Sequence, residues 1–354
     1  MTHKNNQLFL LFVLLISTHL QAEQVISLNK DNAVFAVEAL ADNTFAASSH
    51  DGNIRIFDIN ADTKYDCSAE LTGHTKDVTS LAKLNDSTFV SGSADTTLRI
   101  WQKGNDGFYT CASVLTDHTS SVQTVTRLED NSFISVAHSG VAIVWQKNKD
   151  EGYNFIMKLT HVLDTATITG AIKLNDFGFA ITGSNNDITL YKRLNNGSYK
   201  FISRYYICLS TLNSLIQLDN GNIIAGCSGY RGMLDTYPAR IQTLIPISNG
   251  DLRTGPQFNA CSNIRLVKRL CNNNFASLAY GTNEIKIWKP CISNLELCFP
   301  SQEALNYNHY QHKATLKGHD LRTEAIVQLN NGHIVSGSLD GTIIIWTEED
   351  LQPV

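Results

Sequence analysis

A 31-residue phrase occurs three times in this chain and constrains its fold more than any other feature. Residues 71–101 read LTGHTKDVTSLAKLNDSTFVSGSADTTLRIW. Residues 115–145 read LTDHTSSVQTVTRLEDNSFISVAHSGVAIVW, and residues 316–346 read LKGHDLRTEAIVQLNNGHIVSGSLDGTIIIW. In each, a His is followed 17 residues later by Ser and 27 later by Trp. The sets are His74, Ser91 and Trp101; His118, Ser135 and Trp145; His319, Ser336 and Trp346. Self-similarity at a fixed period implies a repeat architecture, in which one unit buries its apolar face only against its neighbours.

Weaker copies fill the rest of the chain. The strand-ending aromatic recurs at Phe57, Trp101, Trp145, Tyr191, Tyr237, Trp288 and Trp346, at steps of 44, 44, 46, 46, 51 and 58. Short polar turns precede the apolar runs, as at Leu84-Asn85-Asp86, Leu128-Glu129-Asp130 and Leu329-Asn330-Asn331. The runs are short, rich in Val, Ile, Thr and aromatics, and bounded by Gly, Asn and Asp, which reads as antiparallel hairpins. Several are apolar on both faces, as in Ile343-Ile344-Ile345-Trp346. A strand needs that only when both faces of its sheet are covered, and no helical periodicity competes.

On these residues the sequence resembles the WD40-repeat family of β-propellers. The period near 44, the Gly73-His74 and Gly318-His319 pairs, the Ser-Gly-Ser runs and the strand-ending Trp carry the resemblance. It spans essentially all of 23–354 and is strongest in repeats 2, 3 and 7. It implies an all-β fold, a seven-bladed β-propeller of four-stranded antiparallel blades. It also implies a buried hydrogen-bonded network in each well-kept blade. Repeat 2 supplies His74, Ser91, Asp95 and Trp101, and repeat 7 supplies His319, Ser336, Asp340 and Trp346. Repeat 3 has His118, Ser135 and Trp145, but Ser139 stands where Asp is expected, so its network is incomplete. Ser, His and Asp also suggest a hydrolase triad. Recurrence at fixed spacing in several blades is what a scaffold requires, and Ser-Gly-Ser sits in a strand, not in a nucleophile elbow.

The N-terminus reads as a separate segment. Lys4 precedes the nine-residue apolar run Leu8 to Ile16, and Ala22 ends a polar stretch before Glu23. That layout is a secretory signal peptide over residues 1–22, which gives a secreted or periplasmic protein whose single domain is 23–354. The apolar run is short of the roughly 20 residues of a membrane span. Residues 24–28 then occupy the place of an outer strand, while the chain ends soon after Trp346 without one. The N-terminal strand should therefore complete the last blade and close the ring.

Eight Cys in such a context invite disulfides. Cys67 and Cys111 share one outer-strand position in neighbouring blades, too far apart to bridge, and read as packed thiols. Cys291 with Cys298, and Cys208 with Cys227, are the candidate pairs. Cys261 and Cys271 map to opposite ends of one strand and should not pair. An insert from about Pro290 to Tyr310 holds Cys291, Cys298 and His309, with His312 just beyond it. Cys and His are zinc ligands, but no Cys-x-x-Cys occurs there, and a disulfide-pinned surface loop is the better reading.

Composition narrows the function. The net charge is −5, with 28 basic and 33 acidic residues, and charged residues make up 17%. That excludes a strongly basic nucleic-acid footprint and a charged disordered chain. No phosphate-cradling Gly loop, metal-ligand cluster or catalytic Cys/His pair is found, so no cofactor and no metal are expected. The resemblance implies a non-enzymatic protein-interaction scaffold: a monomer binding a protein or peptide, with no nucleic acid, and no membrane once the signal is removed. Loops leading into the inner strands and the hairpin turns before the aromatic strands form the family's usual docking face. Here they carry Arg204, Tyr205, Tyr206, Tyr230, Arg231, Tyr280 and Arg322, and Tyr and Arg dominate interface hot spots. Most fall in repeats 4–6, which have lost repeat residues. The alternatives are an extracytoplasmic propeller enzyme, a hydrolase or lyase, and a carbohydrate-binding propeller. A strongly perturbed His or Asp in the channel mouth would favour an enzyme.

Overall fold

The computed structural model describes residues 24–28, 32–41, 43–129, 131–150, 152–160, 168–175, 178–207, 211–231, 236–237, 239–247, 252–259, 263–290, 310–347 and 350. Strands β2 (Val34–Ala39), β3 (Phe45–Ser49), β4 (Ile54–Ile59) and β5 (Tyr65–Leu71) form blade 1 as a four-stranded meander. Blade 2 is β6 (Val78–Asn85) to β9 (Tyr109–Leu115), with β7 (Thr88–Ser93) and β8 (Leu98–Lys103) between. Blade 3 is β10 (Val122–Arg127), β11 (Phe133–Ala137), β12 (Ala142–Lys147) and β13 (Tyr153–Leu159). Blade 4 is β14 (Ile168–Leu174), β15 (Gly178–Gly183), β16 (Asp187–Arg193) and β17 (Tyr199–Tyr206).

Blade 5 departs from this regularity. Its inner pair is β18 (Leu212–Gln217) and β19 (Ile223–Cys227), and its outer pair is β22 (Arg240–Pro246) and β23 (Leu252–Asn259). A separate ribbon, β20 (Tyr230–Arg231) with β21 (Thr236–Tyr237), interrupts the turn between β19 and β22. Tyr237 therefore pairs with Tyr230 in the ribbon and is not the blade's strand-ending aromatic. Leu244, opposite Ile223, takes that place. Counted through Leu244, the steps from Tyr191 to Trp288 are 53 and 44 in place of 46 and 51, so the longer intervals are the one that holds this ribbon and the one of 58 before Trp346. Blade 6 is β24 (Ile264–Arg269), β25 (Phe275–Ala279), β26 (Ile285–Pro290) and β27 (Tyr310–Leu316).

Blade 7 contains β28 (Thr323–Gln328), β29 (Ile334–Ser338) and β30 (Thr342–Trp346), and its fourth strand is β1 (Gln24–Ser27). Gln24 pairs with Ile345 and Ser27 with Thr342, so the expected closure by the N-terminal strand is present. The wheel is a seven-bladed propeller, and no helix appears among the described strands.

Seven apolar clusters fill seven seams, one between each pair of neighbouring blades. The seam between blades 2 and 3 joins Leu84, Val90 and Leu98 to Val122, Phe133 and Trp145. The seam between blades 7 and 1 joins Val335, Ile343 and Ile345 to Val34, Phe45 and Phe57, with Ile26 and Leu28 of the closing segment packed against it. Strands apolar on both faces are explained, because each sheet is covered twice. The Ser-Gly-Ser runs have a steric reason as well. A Cβ at Gly92 would lie 2.6 Å from Cγ1 of Val122 in the next blade, and one at Gly337 would crowd Val34; Gly226, in the Ala-Gly-Cys run of blade 5, meets Ile264 in the same way. Glycine lets the next inner strand press onto the sheet.

The inner strands face the central channel, where an unpaired edge would be costly. Side chains bond across to the next blade's inner strand. Thr79 Oγ1 donates to the Val122 carbonyl (2.6 Å), and Ser80 Oγ accepts the Val125 N–H (2.9 Å). Thr126 donates to Ala171, and Ser214 accepts from Val267. Glu38 accepts the Lys83 N–H at 3.0 Å. Near the far ends of these strands, polar groups clasp the turn of the preceding blade: Lys83 to Leu40, Lys173 to Glu129, and Gln328 to Cys271.

Closure predicts a mutational effect. Replacing Ile26 and Leu28 together by Asp removes two side chains from the last seam and should cost about 3 kcal/mol. Denaturant unfolding of the double variant measures this. A midpoint equal to that of the parent chain would contradict closure by β1.

Candidate functional site

The buried networks of blades 2, 3 and 7 bring His and Ser together as a catalytic triad would. In blade 2, His74 Nδ1 lies 2.8 Å from Asp95 Oδ2, and His74 Nε2 lies 2.8 Å from Ser91 Oγ. Trp101 Nε1 donates to the same Ser91 oxygen at 2.8 Å. The carboxylate requires the proton on Nδ1, so Nε2 accepts from the Ser91 hydroxyl, which accepts in turn from the indole. Burial lowers the His74 pKa against the pull of Asp95. Burial alone would raise the Asp95 carboxyl, but hydrogen bonds from Thr97, Thr75 and His74 bring it down to about 2. Ser91 is fully buried and its oxygen is engaged by tryptophan, so no substrate carbonyl can reach it. The four side chains thus form one hydrogen-bonded chain from Asp95 to Trp101.

Blade 7 repeats the arrangement. His319 Nε2 meets Ser336 at 2.8 Å, Trp346 donates to Ser336 at 2.8 Å, and His319 Nδ1 lies 2.9 Å from Thr342 Oγ1 and 3.4 Å from Asp340. Blade 3 keeps His118 to Ser135 at 2.7 Å and Trp145 to Ser135 at 2.8 Å. His118 Nδ1 has no partner there, because Ser139 and Val141 replace the Asp and Thr of the other blades. Burial, with Lys158 nearby, lowers the His118 pKa to about 4.

In the other blades the Ser and the Trp are kept or lost together. Blade 6 keeps the Trp288 to Ser277 bond at 2.8 Å. Blades 1, 4 and 5 have Phe57, Tyr191 and Leu244 at the Trp place and Ala47, Ile181 and Ala225 at the Ser place. In this chain Ser is present where an indole N–H needs an acceptor and absent where it does not. Loss of repeat residues is therefore not confined to blades 4–6: blade 6 keeps part of the network and blade 1 lacks it.

The expected binding residues all belong to one face. Antiparallel meanders place the turns after each second strand, and the links into each inner strand, on the same side of the wheel. Arg204, Tyr205 and Tyr206 end the outer strand β17 there, the ribbon with Tyr230 and Arg231 rises there, and Tyr280 and Arg322 lie in such links. Tyr205 is half-buried, packed against the core between blades 4 and 5.

Two tyrosines on this face are held in the same way. Tyr206 is 71% exposed, and the Arg204 guanidinium lies 5.2 Å from its ring centroid. Arg204 Nε is in turn bonded to the buried carboxylate of Asp187. Tyr280 is exposed with Arg322 6.0 Å from its ring. Arg322 Nε bonds Glu324 at 2.6 Å, and Glu324 also takes Arg265 at 2.8 Å. Leu321, beside Arg322, is 53% exposed. Leu321, Asp187, Glu324 and Arg265 were not singled out in the sequence, since nothing local marks a carboxylate that will meet an arginine on the paired strand or in the next blade.

The channel holds a cavity of about 480 Å³ lined by Thr79, Ser80, Thr126, Thr169, Arg265 and Lys268 among others. Burial in the channel wall raises the Glu38 carboxyl above the usual carboxylate range, against the pull of Lys268, Lys83 and Arg127. Glu38 accepts the Lys83 N–H of the next blade and so covers part of that strand edge.

The cysteine readings are corrected in part. Cys67 and Cys111 are free, as expected, and Cys271 is free too, but Cys67 and Cys111 are exposed rather than packed, because their outer strands form the rim of the wheel. Cys227 is buried and disulfide-bonded, with its partner outside the described residues. Cys208, Cys291, Cys298, Cys261 and His309 also lie outside them. His312 lies in β27 with its ring edge-on to Trp288 and its Nε2 2.9 Å from Thr315. No group of three or more potential metal ligands occurs among the described residues.

The family model for the WD domain, G-beta repeat (WD40) matches residues 22–58, 65–102 and 310–347. These spans begin in the outer strand of one blade and run through three strands of the next, the overlap that closes the ring. The crystal structure of the WD40 beta propeller domain of Doa1 is similar, with a TM-score of 0.67 at 16% identity, over 92% of this chain and 96% of that one. No curated protein sequence matches the chain.

The incomplete blade-3 network predicts a pH effect. The folded His118 pKa is about 4 against an ordinary 6.5, so the unfolded chain protonates first as pH falls. His118 leaves stability intact above about pH 6.5 and removes it progressively toward pH 4, by about 3 kcal/mol in all. Ser139→Asp supplies the missing acceptor, raises the His118 pKa and shrinks this loss. NMR titration of the His118 ring checks it, and an unchanged pKa in the variant would contradict the network.

Proposed function

We propose that this WD40-repeat β-propeller is a non-enzymatic interaction scaffold of an extracytoplasmic compartment, binding a protein or peptide on its loop face. WD40 propellers commonly serve as protein-interaction scaffolds. The observation that carries the reading is the pair of exposed tyrosines, Tyr206 and Tyr280, each stacked by an arginine that a carboxylate pins from behind. Preordered aromatic anchors lose little rotamer entropy on binding, and Tyr and Arg are the residues that dominate hot spots. The ribbon Tyr230–Tyr237 lies between them in blade order, on the same face.

The extracytoplasmic setting rests on the leader-like residues 1–22 and on the disulfide at Cys227. No helix among the described residues is long and apolar enough to cross a membrane. The wheel acts as a monomer, and its net charge of −5 disfavours nucleic acid.

The test is affinity capture from the native compartment with the protein exported from its own gene, whose mature N-terminus should be Glu23. Tyr206→Ala with Tyr280→Ala should weaken the captured partner at least ten-fold while the unfolding midpoint stays unchanged. Undiminished capture by that double variant would contradict the loop-face assignment, and export without removal of residues 1–22 would contradict the leader.

A further inference from the structure

We propose a second interaction surface, on the rim at the seam between blades 3 and 4, that takes an acidic peptide carrying an apolar side chain. The surface is independent of the loop face. A cavity of about 490 Å³ opens there between the outer edge of blade 3 and the outer turn of blade 4. Ile156 and Met157 of β13 line one side, and Arg193, Asn196, Ser198 and Tyr199 line the other. The shape follows from the ladder. A bulge in β13 opposite Val144 and Trp145 leaves Ile156 as the unpaired extra residue, turned outward and 46% exposed. The corresponding bulge in β17 presents Phe201 edge-on to Tyr191, 45% exposed, on the side of blade 4 that faces blade 3. Leu194 at the start of the outer turn is exposed as well.

Apolar exposure alone names no occupant, but charge does. Across residues 145–160 and 190–203, which run along these two outer edges, six basic residues stand against two acidic ones, in a chain that carries 28 basic and 33 acidic overall. Lys192 and Lys200 are directly opposed in the β16–β17 ladder, a like-charge pair that costs free energy when nothing anionic lies over it. Neither has a carboxylate partner among the described residues, and Lys149 and Lys158 have none there either. Lys192 and Lys200 project to the side of blade 4 away from the cavity, so one sheet thickness, about 10 Å, separates them from it. An extended acidic segment of about five residues, at roughly 3.3 Å per residue, can cross β17 and reach both. The apolar side chain enters between Ile156 and Tyr199, and the carboxylates lie over Arg193, Lys192 and Lys200.

Panning a library of random ten-residue peptides against the mature wheel tests this. The selected peptides should be rich in Asp and Glu with a single Leu, Ile or Phe. The best of them, fluorescein-labelled and followed by anisotropy, should bind at least ten-fold more weakly to K192E/K200E and to I156D. It should bind within two-fold of the parent to Y206A on the loop face, and it should weaken as salt is raised. These substitutions are on exposed side chains, and an unchanged unfolding midpoint certifies the fold. Selection without acidic enrichment overturns the proposal, as does binding that survives K192E/K200E. Co-sedimentation with phosphatidylcholine–phosphatidylserine vesicles that K192E/K200E abolishes, with no peptide selected, also overturns it and assigns the rim to a lipid surface.

Discussion

The four residue pairs between β1 and β30 are the contact on which the rest of the wheel depends. A propeller blade cannot bury either of its faces alone, and here each of seven seams holds its own cluster of apolar side chains. Six seams would form in an open spiral, but the seventh needs the two chain ends side by side. Val34 of blade 1 sits over Gly337 of blade 7 as Val122 sits over Gly92, so the last seam is built like the others. Closure thus turns a sum of neighbour contacts into one cooperative body.

That rigidity determines what the faces can do. The His–Ser–Trp networks in blades 2, 3 and 7, with the Ser277–Trp288 bond in blade 6, tie loop to sheet within a blade. Blades 4 and 5 lack them and use other means. Asp187 is buried beneath Arg204 in blade 4, and a ribbon is added in blade 5. Both features place aromatic residues on the loop face. The outward edges of blades 3 and 4, by contrast, carry exposed apolar and basic side chains that no seam uses.

Much of the fold was legible in the sequence because its physical cause is local and repeated. The three phrases of His, Ser and Trp fix strand order and period, and residues 24–28, which stand before the first inner strand as an outer strand does elsewhere, pair with β30. Ser139 in place of Asp announced the unsatisfied His118 nitrogen. Blade 5 was misread because Tyr237 lies at nearly the right interval, while the true position is Leu244, where the aromatic has been lost. No spacing rule distinguishes an insertion before the third strand from a displaced marker. The candidate site was half legible. The exposed Tyr and Arg could be picked out, but their supports, Asp187 and Glu324, act through contacts across a strand pair and between blades. Alternation along β17 turns Tyr205 partly toward the core, which the sequence reading did not use.

Native-state hydrogen exchange read by mass spectrometry tests the central claim most directly. In a ring closed by β1, the amides of Ile343 to Ile345 open only with global unfolding. Their exchange free energy should then equal that of Phe133 to Val136 in blade 3, far from the chain ends. Exchange of β30 several kcal/mol easier than that of β11 would mean that the last seam opens by itself, and the account of a single closed body would be wrong.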